Sequence, residues 1–167
     1  MNVVIRPARK SDLVRINEIY NVYIVDSPIS FDLEPWDLER RADWWEHYAE
    51  TGPYRVLVAE VDGRVIGTAY STRYREKAAY QSSVETTVVL DPDYVALGIG
   101  RRLLSLLLDA VRSEGIHRAY AIITVPNEAS IGLHSALGYR PVGTLDDVGF
   151  KLGRYWSTVI LEKRLDD

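Results

Sequence analysis

The sequence has no cysteine among its 167 residues. This absence excludes disulfides, thiolate metal ligands and a cysteine nucleophile, and it fits a reducing compartment. Histidine is scarce too, and His47, His117 and His134 lie far apart with no metal-ligand spacing. Long apolar runs are also missing, both the roughly 18 residues of a membrane span and the shorter core of an amino-terminal signal peptide. We therefore expect a cytoplasmic protein with no metal and no membrane partner.

An excess of positive charge is likewise missing. The formal net charge is −4 and the sequence pI is about 5.4, so the chain has no overall field that would hold nucleic acid. Hydrophobic residues make up 47% of the chain and charged residues 26%, which is the composition of an ordinary globular protein. A chain of this length is typical of one domain, which we expect to span residues 1–167.

Hydrophobic periodicity divides the chain into strands and helices. Asp62 and Gly63 join two apolar runs within residues 54–71, which predicts a tight hairpin. The other predicted strands cover residues 2–8, 82–90, 119–125 and 155–165, the predicted helices cover residues 10–24, 38–48, 98–114 and 128–138, and a proline-flanked loop covers residues 25–35. Hairpins mixed with strand-helix-strand units indicate an α/β or α+β fold with a mixed sheet.

Two glycines stand immediately before a long predicted helix. Gly98 and Gly100 allow close approach of a ligand, and the first turn of the helix presents unpaired N–H groups that suit a phosphate. Arg101 adds a positive charge beside them. The simpler interpretation is that the glycines only permit the turn and that the arginine is solvated. A dinucleotide fingerprint is excluded, because Leu103 stands where the third glycine of that pattern belongs.

Longer segments resemble a known family. Residues 84–108 and 127–143 resemble the acetyl-CoA-binding core of the GNAT N-acetyltransferases. Within that superfamily, "IYNVYI", "AAYQSSVETTVVLDPD" and "VGFKLGRYWSTVILEKRL" are similar to the phosphinothricin acetyltransferase group, which acetylates small amino-acid-like amines. The resemblance runs from Ile5 to Leu165. It implies a homodimer with a strongly twisted, mixed, mostly antiparallel sheet that is flanked by helices and splayed between its fourth and fifth strands to bind acetyl-CoA.

The resemblance also implies a set of cofactor contacts. The end of one strand would pair with the pantetheine arm, the glycine loop would hold the pyrophosphate, and two residues of a later helix would complete the site: Val88, Val89, Leu90, Ala96, Leu97, Gly98, Ile99, Gly100, Arg101, Asn127 and Ser130. By pattern alone the strand residues are core residues, and Asn127 is a helix N-cap. Val95 stands where the family usually has arginine or glutamine, so we expect acetyl-CoA to bind more weakly or in a different orientation.

Two residues are catalytic candidates. Glu85 matches a glutamate of the phosphinothricin group and would remove a proton from the attacking amine, directly or through water. By pattern alone it is a solvent-facing carboxylate of a half-exposed strand. His134 stands where many relatives have a tyrosine that protonates the leaving thiolate. It would act as that acid or as a cofactor contact, and the alternative is a packed helix histidine.

Substrate recognition requires a cation for an anionic group and walls for the side chain. Arg75 matches a substrate-side arginine of the family and would hold the anion by a two-pronged contact, although a lone loop arginine is usually solvated. Ser157 replaces the usual aspartate of a late family motif, which affects the expected substrate more than the reaction. The resemblance implies these substrate contacts: Phe31, Tyr74, Arg75, Glu76, Lys77, Tyr80, Glu85, Thr86 and Thr87.

Together these features predict an acetyl-CoA-dependent N-acetyltransferase. Its predicted substrate is a small amino acid or an analogue such as phosphinothricin or methionine sulfoximine. We expect direct transfer between the two substrates, because no cysteine is present to carry the acetyl group. Two alternatives stay open at this point: a protein amino-terminal acetyltransferase on the same fold, and a non-catalytic sensor that binds acetyl-CoA.

Overall fold

A computed structural model describes residues 1–166, and within that range seven strands form one mixed sheet. The strand order is β1-β2-β3-β4-β5-β7-β6, and every neighbouring pair is antiparallel except β4 and β5. The strands are β1 (Val4–Pro7), β2 (Val56–Val61), β3 (Arg64–Arg73), β4 (Ser83–Leu90), β5 (Arg118–Val125), β6 (Arg140–Lys151) and β7 (Arg154–Arg164). The predicted mixed, mostly antiparallel sheet is confirmed.

Four α-helices flank this sheet within residues 1–166. They are α1 (Leu13–Asp26), α2 (Leu38–Trp45), α3 (Ile99–Ser113) and α4 (Glu128–Ala136), and short 3-10 turns lie at Lys10–Asp12, Ala78–Tyr80 and Pro92–Tyr94. The predicted helix over residues 38–48 ends at Trp45, where the chain passes into a turn. No helix in the described range is long and apolar enough to cross a membrane.

Helix α3 shows how the sequence determines the packing. Gly98 precedes it in the left-handed region, with φ of 76°, and Gly115 follows it at φ of 80°, so both ends of the helix require residues that tolerate positive φ. The face toward the sheet is fully apolar: Leu103, Leu104, Leu107, Leu108 and Val111 are all buried. Burying each such side chain contributes roughly 1.5–3 kcal/mol, so α3 anchors one face of the sheet.

The sheet divides between β4 and β5. Their parallel register begins at Ser83↔Arg118 and ends at Glu85↔Tyr120. Beyond that point β4 continues beside β3, whereas β5 continues beside β7 as far as Val125. Because each strand keeps its outer neighbour, the two halves of the sheet separate without losing their own ladders. The result is a wedge-shaped slot between the carboxyl ends of β4 and β5.

Strand β6 was not predicted. It lies at the edge of the sheet, pairs with β7 alone, and has two register irregularities. Pro141, Gly143 and Gly149 interrupt its pattern, and Asp147 has a φ of 52°. An edge strand tolerates proline and bulges because one side of its backbone needs no partner. Such a strand therefore lacks the alternation by which strands are predicted.

Candidate active site

Glu85 lies where the sheet divides. Its neighbours in the two ladders are Thr72 on β3 and Tyr120 on β5. The side chain is half-buried. Burial raises the pKa of the Glu85 carboxyl group, and the positive charge of Arg75 opposes that rise. A carboxylate with a raised pKa is a stronger base than an exposed one, so this position suits proton transfer.

Glu85 and Thr87 open into a broad pocket of about 840 Å³, which we call the aromatic pocket. Side chains from α1, the α1–α2 loop, α2 and its following turn, the segment before β2, and β3 form most of its wall: Tyr20, Trp36, Trp44, Tyr48, Tyr54 and Tyr70. The charged and imidazole side chains in its lining, apart from Glu85, are exposed: Arg40, Asp43, His47, Arg73 and Glu76. The pocket therefore combines an apolar wall, polar groups near solvent and one half-buried base.

The aromatic side chains contact one another. The Tyr20 and Tyr70 hydroxyl oxygens lie 2.7 Å apart. The Trp44 ring meets Tyr70 edge to face at a centroid distance of 5.1 Å and lies 4.5 Å from the Tyr48 ring. Burial raises the pKa of Tyr20 and Tyr70, so both hydroxyls are protonated at neutral pH. Edge-to-face contacts of this kind add to the stability gained from burial, and they hold the wall as one unit.

Arg41 supports this wall from behind. Its side chain is 1% exposed, and the guanidinium carbon lies 4.2 Å from the Trp36 ring centroid, 4.7 Å from that of Trp44 and 4.9 Å from that of Tyr20. Its Nε donates to the Asn17 side chain at 3.1 Å. Within residues 1–166 its Nη2 has no hydrogen-bond partner. Burial lowers the pKa of the guanidinium, and the cation–π contacts offset part of the cost of that burial.

A second site lies beyond the carboxyl end of β4. We call it the cofactor groove; its volume is about 520 Å³. It combines the end of β4, the glycine loop, the start of α3 and the first turns of α4, and its lining includes Val88, Val89, Leu90, Val95, Ala96, Gly98, Gly100, Arg101, Asn127 and Ser130. The first-turn N–H groups of α3 have no intrahelical acceptor. Together with Arg101 they fit a pyrophosphate.

The glycine loop needs both of its glycines. Gly98 holds a φ of 76°, which other residues adopt only at a cost. A Cβ at Gly100 would lie 2.9 Å from the Leu133 Cδ1 atom, so a side chain there would displace the Leu133 side chain from the contact between α3 and α4. Asn127 caps α4 by accepting from the Ser130 N–H at 3.1 Å. The N-cap interpretation of Asn127 therefore holds, and the residue lines the groove as well.

The splay of β4 and β5 connects the two sites. Its lining residues include Thr87, which also lines the aromatic pocket, and Val88 and Val89, which also line the cofactor groove. On β5 the slot is lined from Ala121 to Thr124. The Tyr23 hydroxyl donates to the Leu90 carbonyl at 2.6 Å, which fixes α1 against the end of β4. A continuous path thus leads from the glycine loop to the strand that carries Glu85.

His134 lines the slot and is 3% exposed. Its Nδ1 lies 2.8 Å from the Ser130 carbonyl oxygen. Because a carbonyl can only accept, Nδ1 carries a proton. Burial lowers the pKa of His134, although the Ser130 contact opposes this. The ring is therefore neutral at neutral pH, and its Nε2 carries a lone pair.

The other predicted site residues lie beside these cavities or in the core. Ile99 is buried in the core and Leu97 is exposed, while Phe31 lies over Gly149 of β6. Thr86 is buried and lines the slot. The remaining substrate candidates form an exposed cluster next to the aromatic pocket, which shares Glu76 with it: Tyr74, Arg75, Glu76, Lys77 and Tyr80.

The exposed cluster is ordered by ring contacts. Tyr74 stacks on Tyr120 at a centroid distance of 4.4 Å and meets Tyr80 at 5.6 Å. The Arg75 guanidinium lies 5.2 Å from the Tyr74 ring centroid. Since Tyr120 is the register partner of Glu85, these contacts place a cation near the base. The structure thus brings Arg75 to the exposed side of Glu85.

The aromatic wall has no signature in the sequence. Its members come from segments that are distant along the chain, such as Tyr20 on α1 and Tyr70 on β3. The helical spacing of α1 indicates only that Tyr20 shares a face with other apolar residues. The composition of α2 indicates only a charged helix that is rich in tryptophan. No local pattern shows that such side chains surround one cavity.

The chain is similar to known acetyltransferases. The model of the acetyltransferase (GNAT) family matches residues 16–139. The chain is 45% identical over 165 residues to phosphinothricin N-acetyltransferase of Streptomyces coelicolor, covering 98% of this chain and 96% of that protein. It is 35% identical over 163 residues to L-methionine sulfoximine/L-methionine sulfone acetyltransferase of Salmonella typhimurium, covering 98% and 95%.

The fold is also similar to that of a solved acetyltransferase structure. The phosphinothricin acetyltransferase of Sinorhizobium meliloti, a GNAT superfamily protein solved in complex with acetyl-CoA, superimposes with a TM-score of 0.92. The two chains are 30% identical, and the match covers 99% of this chain and 89% of that one. The likeness therefore extends over nearly the whole fold of this chain.

Proposed function

Because this chain belongs to the GNAT acetyltransferase family, we propose that it acetylates the amine of a small amino acid or analogue of the phosphinothricin or methionine sulfoximine type. The chain is an acetyl-CoA-dependent N-acetyltransferase. One observation carries the substrate proposal: the splay of the sheet joins a phosphate-compatible groove to a pocket whose half-buried base is Glu85.

The residues present fit acetyl-CoA. The N–H groups at the start of α3 and Arg101 suit the pyrophosphate, and the backbone of Val88 to Leu90 is bounded by β3 on one side and the slot on the other. When bound, acetyl-CoA would supply a thioester whose acetyl group is open to attack and whose thiolate is a better leaving group than an alkoxide. Val95 adds no charge to the groove, and the backbone donors of the loop remain in place.

Glu85 is proposed as the general base. An amine attacks only in its neutral form, so the protonated substrate must first lose a proton. The raised pKa of Glu85 brings the carboxylate closer to the substrate's own pKa and makes the transfer less unfavourable. Thr87, on the same face of β4, lines the pocket next to it and provides a hydroxyl that positions the amine or a bridging water.

We propose that His134 contacts the cofactor and does not act as a catalytic acid. Its Nδ1–H is used by the Ser130 carbonyl, and its neutral ring carries no proton on Nε2. A thiol that leaves readily does not require a protein acid. His134 Nε2 therefore serves as a hydrogen-bond acceptor in the slot.

Arg75 is proposed to hold the carboxylate of the amino acid. Its guanidinium is held over the Tyr74 ring on the exposed side of Glu85, and it has the fork geometry that a carboxylate requires. Arg73 lines both the aromatic pocket and the exposed cluster and supplies a second cation. The amine of a substrate whose carboxylate lies here would face Glu85.

We also propose that the enzyme is a one-domain homodimer of the cytoplasm, where its acetyl donor is produced. The hairpin of β6 and β7 carries exposed apolar residues that a partner copy would cover: Val142, Leu145, Val148, Phe150, Leu152 and Tyr155. Light scattering coupled to gel filtration tests the dimer. Dissociation in the Phe150→Asp variant supports this surface as the interface, and a monomeric wild type overturns it.

The decisive test is thiol release from acetyl-CoA by the purified protein with phosphinothricin, methionine sulfoximine, methionine sulfone, common amino acids and short peptides. Turnover of the free amino-acid analogues supports the proposed function. A preference for peptides supports an amino-terminal acetyltransferase instead. Acetyl-CoA binding without turnover of any amine supports a sensor, and Arg75→Ala checks the anion contact through a rise in the amine KM alone.

A further inference from the structure

The aromatic pocket is larger and more apolar than a small anionic amino acid requires. Its volume of about 840 Å³ falls in the range of roughly 300–1,000 Å³ typical of pockets for drug-sized ligands. Six of its lining residues are tyrosine or tryptophan. A phosphinate or sulfoximine group has neither the size nor the apolar surface to use such a wall, so the wall suits a different side chain.

The ring geometry indicates which side chain. Trp44 and Tyr48 lie on one helix and its following turn, and both pack edge to face or tilted against Tyr70, at centroid distances of 5.1 Å and 5.9 Å. Trp36 and Tyr20 extend the same wall, with a centroid distance of 6.3 Å. Rings at such distances and angles form a surface on which another ring packs with favourable geometry.

The wall is held in place before any ligand arrives. Arg41 packs against the rings of Trp36, Trp44 and Tyr20 from the protein side and is fully enclosed. Arg40 lies 4.1 Å from the Trp36 ring centroid and pairs with Asp32. A rigid wall loses little conformational entropy when a ring binds.

The charges of the pocket agree with an uncharged side chain. Within the described residues, the cationic side chains in its lining are Arg40 and Arg73, and both are exposed. Arg41 stands behind the wall, with its guanidinium atoms closed off by rings. An anionic side-chain group placed deep in the pocket would lose hydration with no cation beside it, because Arg40 and Arg73 are both exposed; an aromatic ring has no charge to desolvate there.

We propose that this same site acetylates primary amines that carry an aromatic ring, such as aromatic amino acids and arylethylamines. The proposal rests on the proposed function. The amine nitrogen forms a bond to the acetyl carbon as the bond from that carbon to sulfur breaks. The ammonium loses two protons in all: one ends on the released thiol, and the other reaches solvent through Glu85. The ring of the substrate packs against Trp44 and Tyr48.

Neighbouring tryptophans provide a matched pair of variants. Trp44 lines the aromatic pocket, whereas Trp45 lines a separate cleft of about 250 Å³ beside Arg55 and Leu57. Trp44→Leu and Trp45→Leu therefore each remove one tryptophan ring from α2, but from different cavities. A general loss of stability affects both variants, and only Trp44→Leu removes the proposed substrate contact.

The experiment measures kcat/KM for 2-phenylethylamine, L-phenylalanine and L-methionine sulfoximine in the wild type and both variants. We expect turnover of the aromatic amines, a loss of about 10-fold for them in Trp44→Leu, and a loss below about threefold for the sulfoximine. We expect Trp45→Leu to keep the wild-type ratio between the two substrate classes. This ratio does not depend on the fraction of enzyme that is folded.

Two results overturn the inference alone: turnover of the sulfoximine without any aromatic amine, or an equal loss for both classes in Trp44→Leu. Absence of turnover with every amine, the sulfoximine included, overturns the proposed function and this inference together. The two failures are therefore distinguishable in one set of measurements.

Discussion

The cofactor groove and the aromatic pocket are lined by successive parts of β4 and are built in different ways. The groove is lined mostly by two segments, residues 88–101 with Gly98 and Gly100 and residues 127–133, together with Tyr23 and Ile29. The pocket consists of large side chains that arrive from separate segments of the chain. The groove can thus bind the same cofactor through main-chain groups even when side chains change. The specificity of the pocket depends instead on side chains, which a single substitution alters.

The largest effect is expected from a change on the pocket side. Glu85→Gln removes the base while preserving the size of the side chain, so kcat should fall by about 10²–10³-fold. The Kd for acetyl-CoA should stay within about twofold, because Glu85 does not line the groove. Stopped-flow turnover and calorimetric titration measure the two quantities.

The pH dependence sharpens the same test. Since the pKa of Glu85 is raised by burial, wild-type kcat/KM should increase with pH as the carboxyl group ionises at a pH above the range of an exposed glutamate. The Glu85→Gln variant should lack this increase. Wild-type turnover in the variant, or an unchanged acidic limb, contradicts the role of Glu85 as base.

An intermediate effect is expected on the groove side. Gly98→Ala places a Cβ at φ of 76° and costs about 1–2 kcal/mol when the loop keeps its conformation. Because the free loop can relax and acetyl-CoA binding must restore this conformation, the cost falls on binding, and the Kd for acetyl-CoA should rise by about 10-fold with the KM for the amine unchanged. Gly63→Ala is the control, because Gly63 has a φ of 79° with open space around it in the β2–β3 turn. Equal effects of the two variants on acetyl-CoA binding would contradict the specific role of the loop.

The smallest effect concerns the junction between the two sites. The Thr86 hydroxyl lies 2.7 Å from the Tyr139 hydroxyl and 3.2 Å from the Tyr120 carbonyl oxygen. Tyr139→Phe should lower the free energy of unfolding by about 1 kcal/mol, the typical worth of one hydrogen bond. Urea denaturation measures this, with Tyr155→Phe as the exposed control. An unchanged unfolding free energy would show that this contact does not stabilise the junction.

These two regions also differ in how far the sequence predicts them. The hairpin at Asp62–Gly63 and the capped helix α3 follow from local rules, and the structure confirms both. The glycine loop has a local signature because close approach and positive φ each require glycine at a fixed position. The resemblance to the GNAT family is confirmed by the family match and by the curated relatives. It could be recognised from the sequence because its motifs are continuous segments.

The aromatic pocket has no such signature. Trp44 and Tyr70 are separated by a hairpin strand and two turns, and their ring contact exists only after α2 packs on the sheet. The family resemblance predicts Glu85, Thr87 and Glu76 as site residues, and all three line this pocket. Their aromatic neighbours required tertiary structure, as did β6, whose edge position removes the need for regular alternation.

The hydroxyl of Thr86 lies where the pairing between β4 and β5 ends. Thr86 follows the last register pair of β4 and β5, and its side chain donates to the Tyr120 carbonyl on the facing strand. The same hydroxyl also contacts the Tyr139 hydroxyl at 2.7 Å. These contacts are present before any ligand binds, and beyond Tyr120 the β5 amides that face β4 should exchange with solvent faster than the β5 amides that β7 pairs as far as Val125.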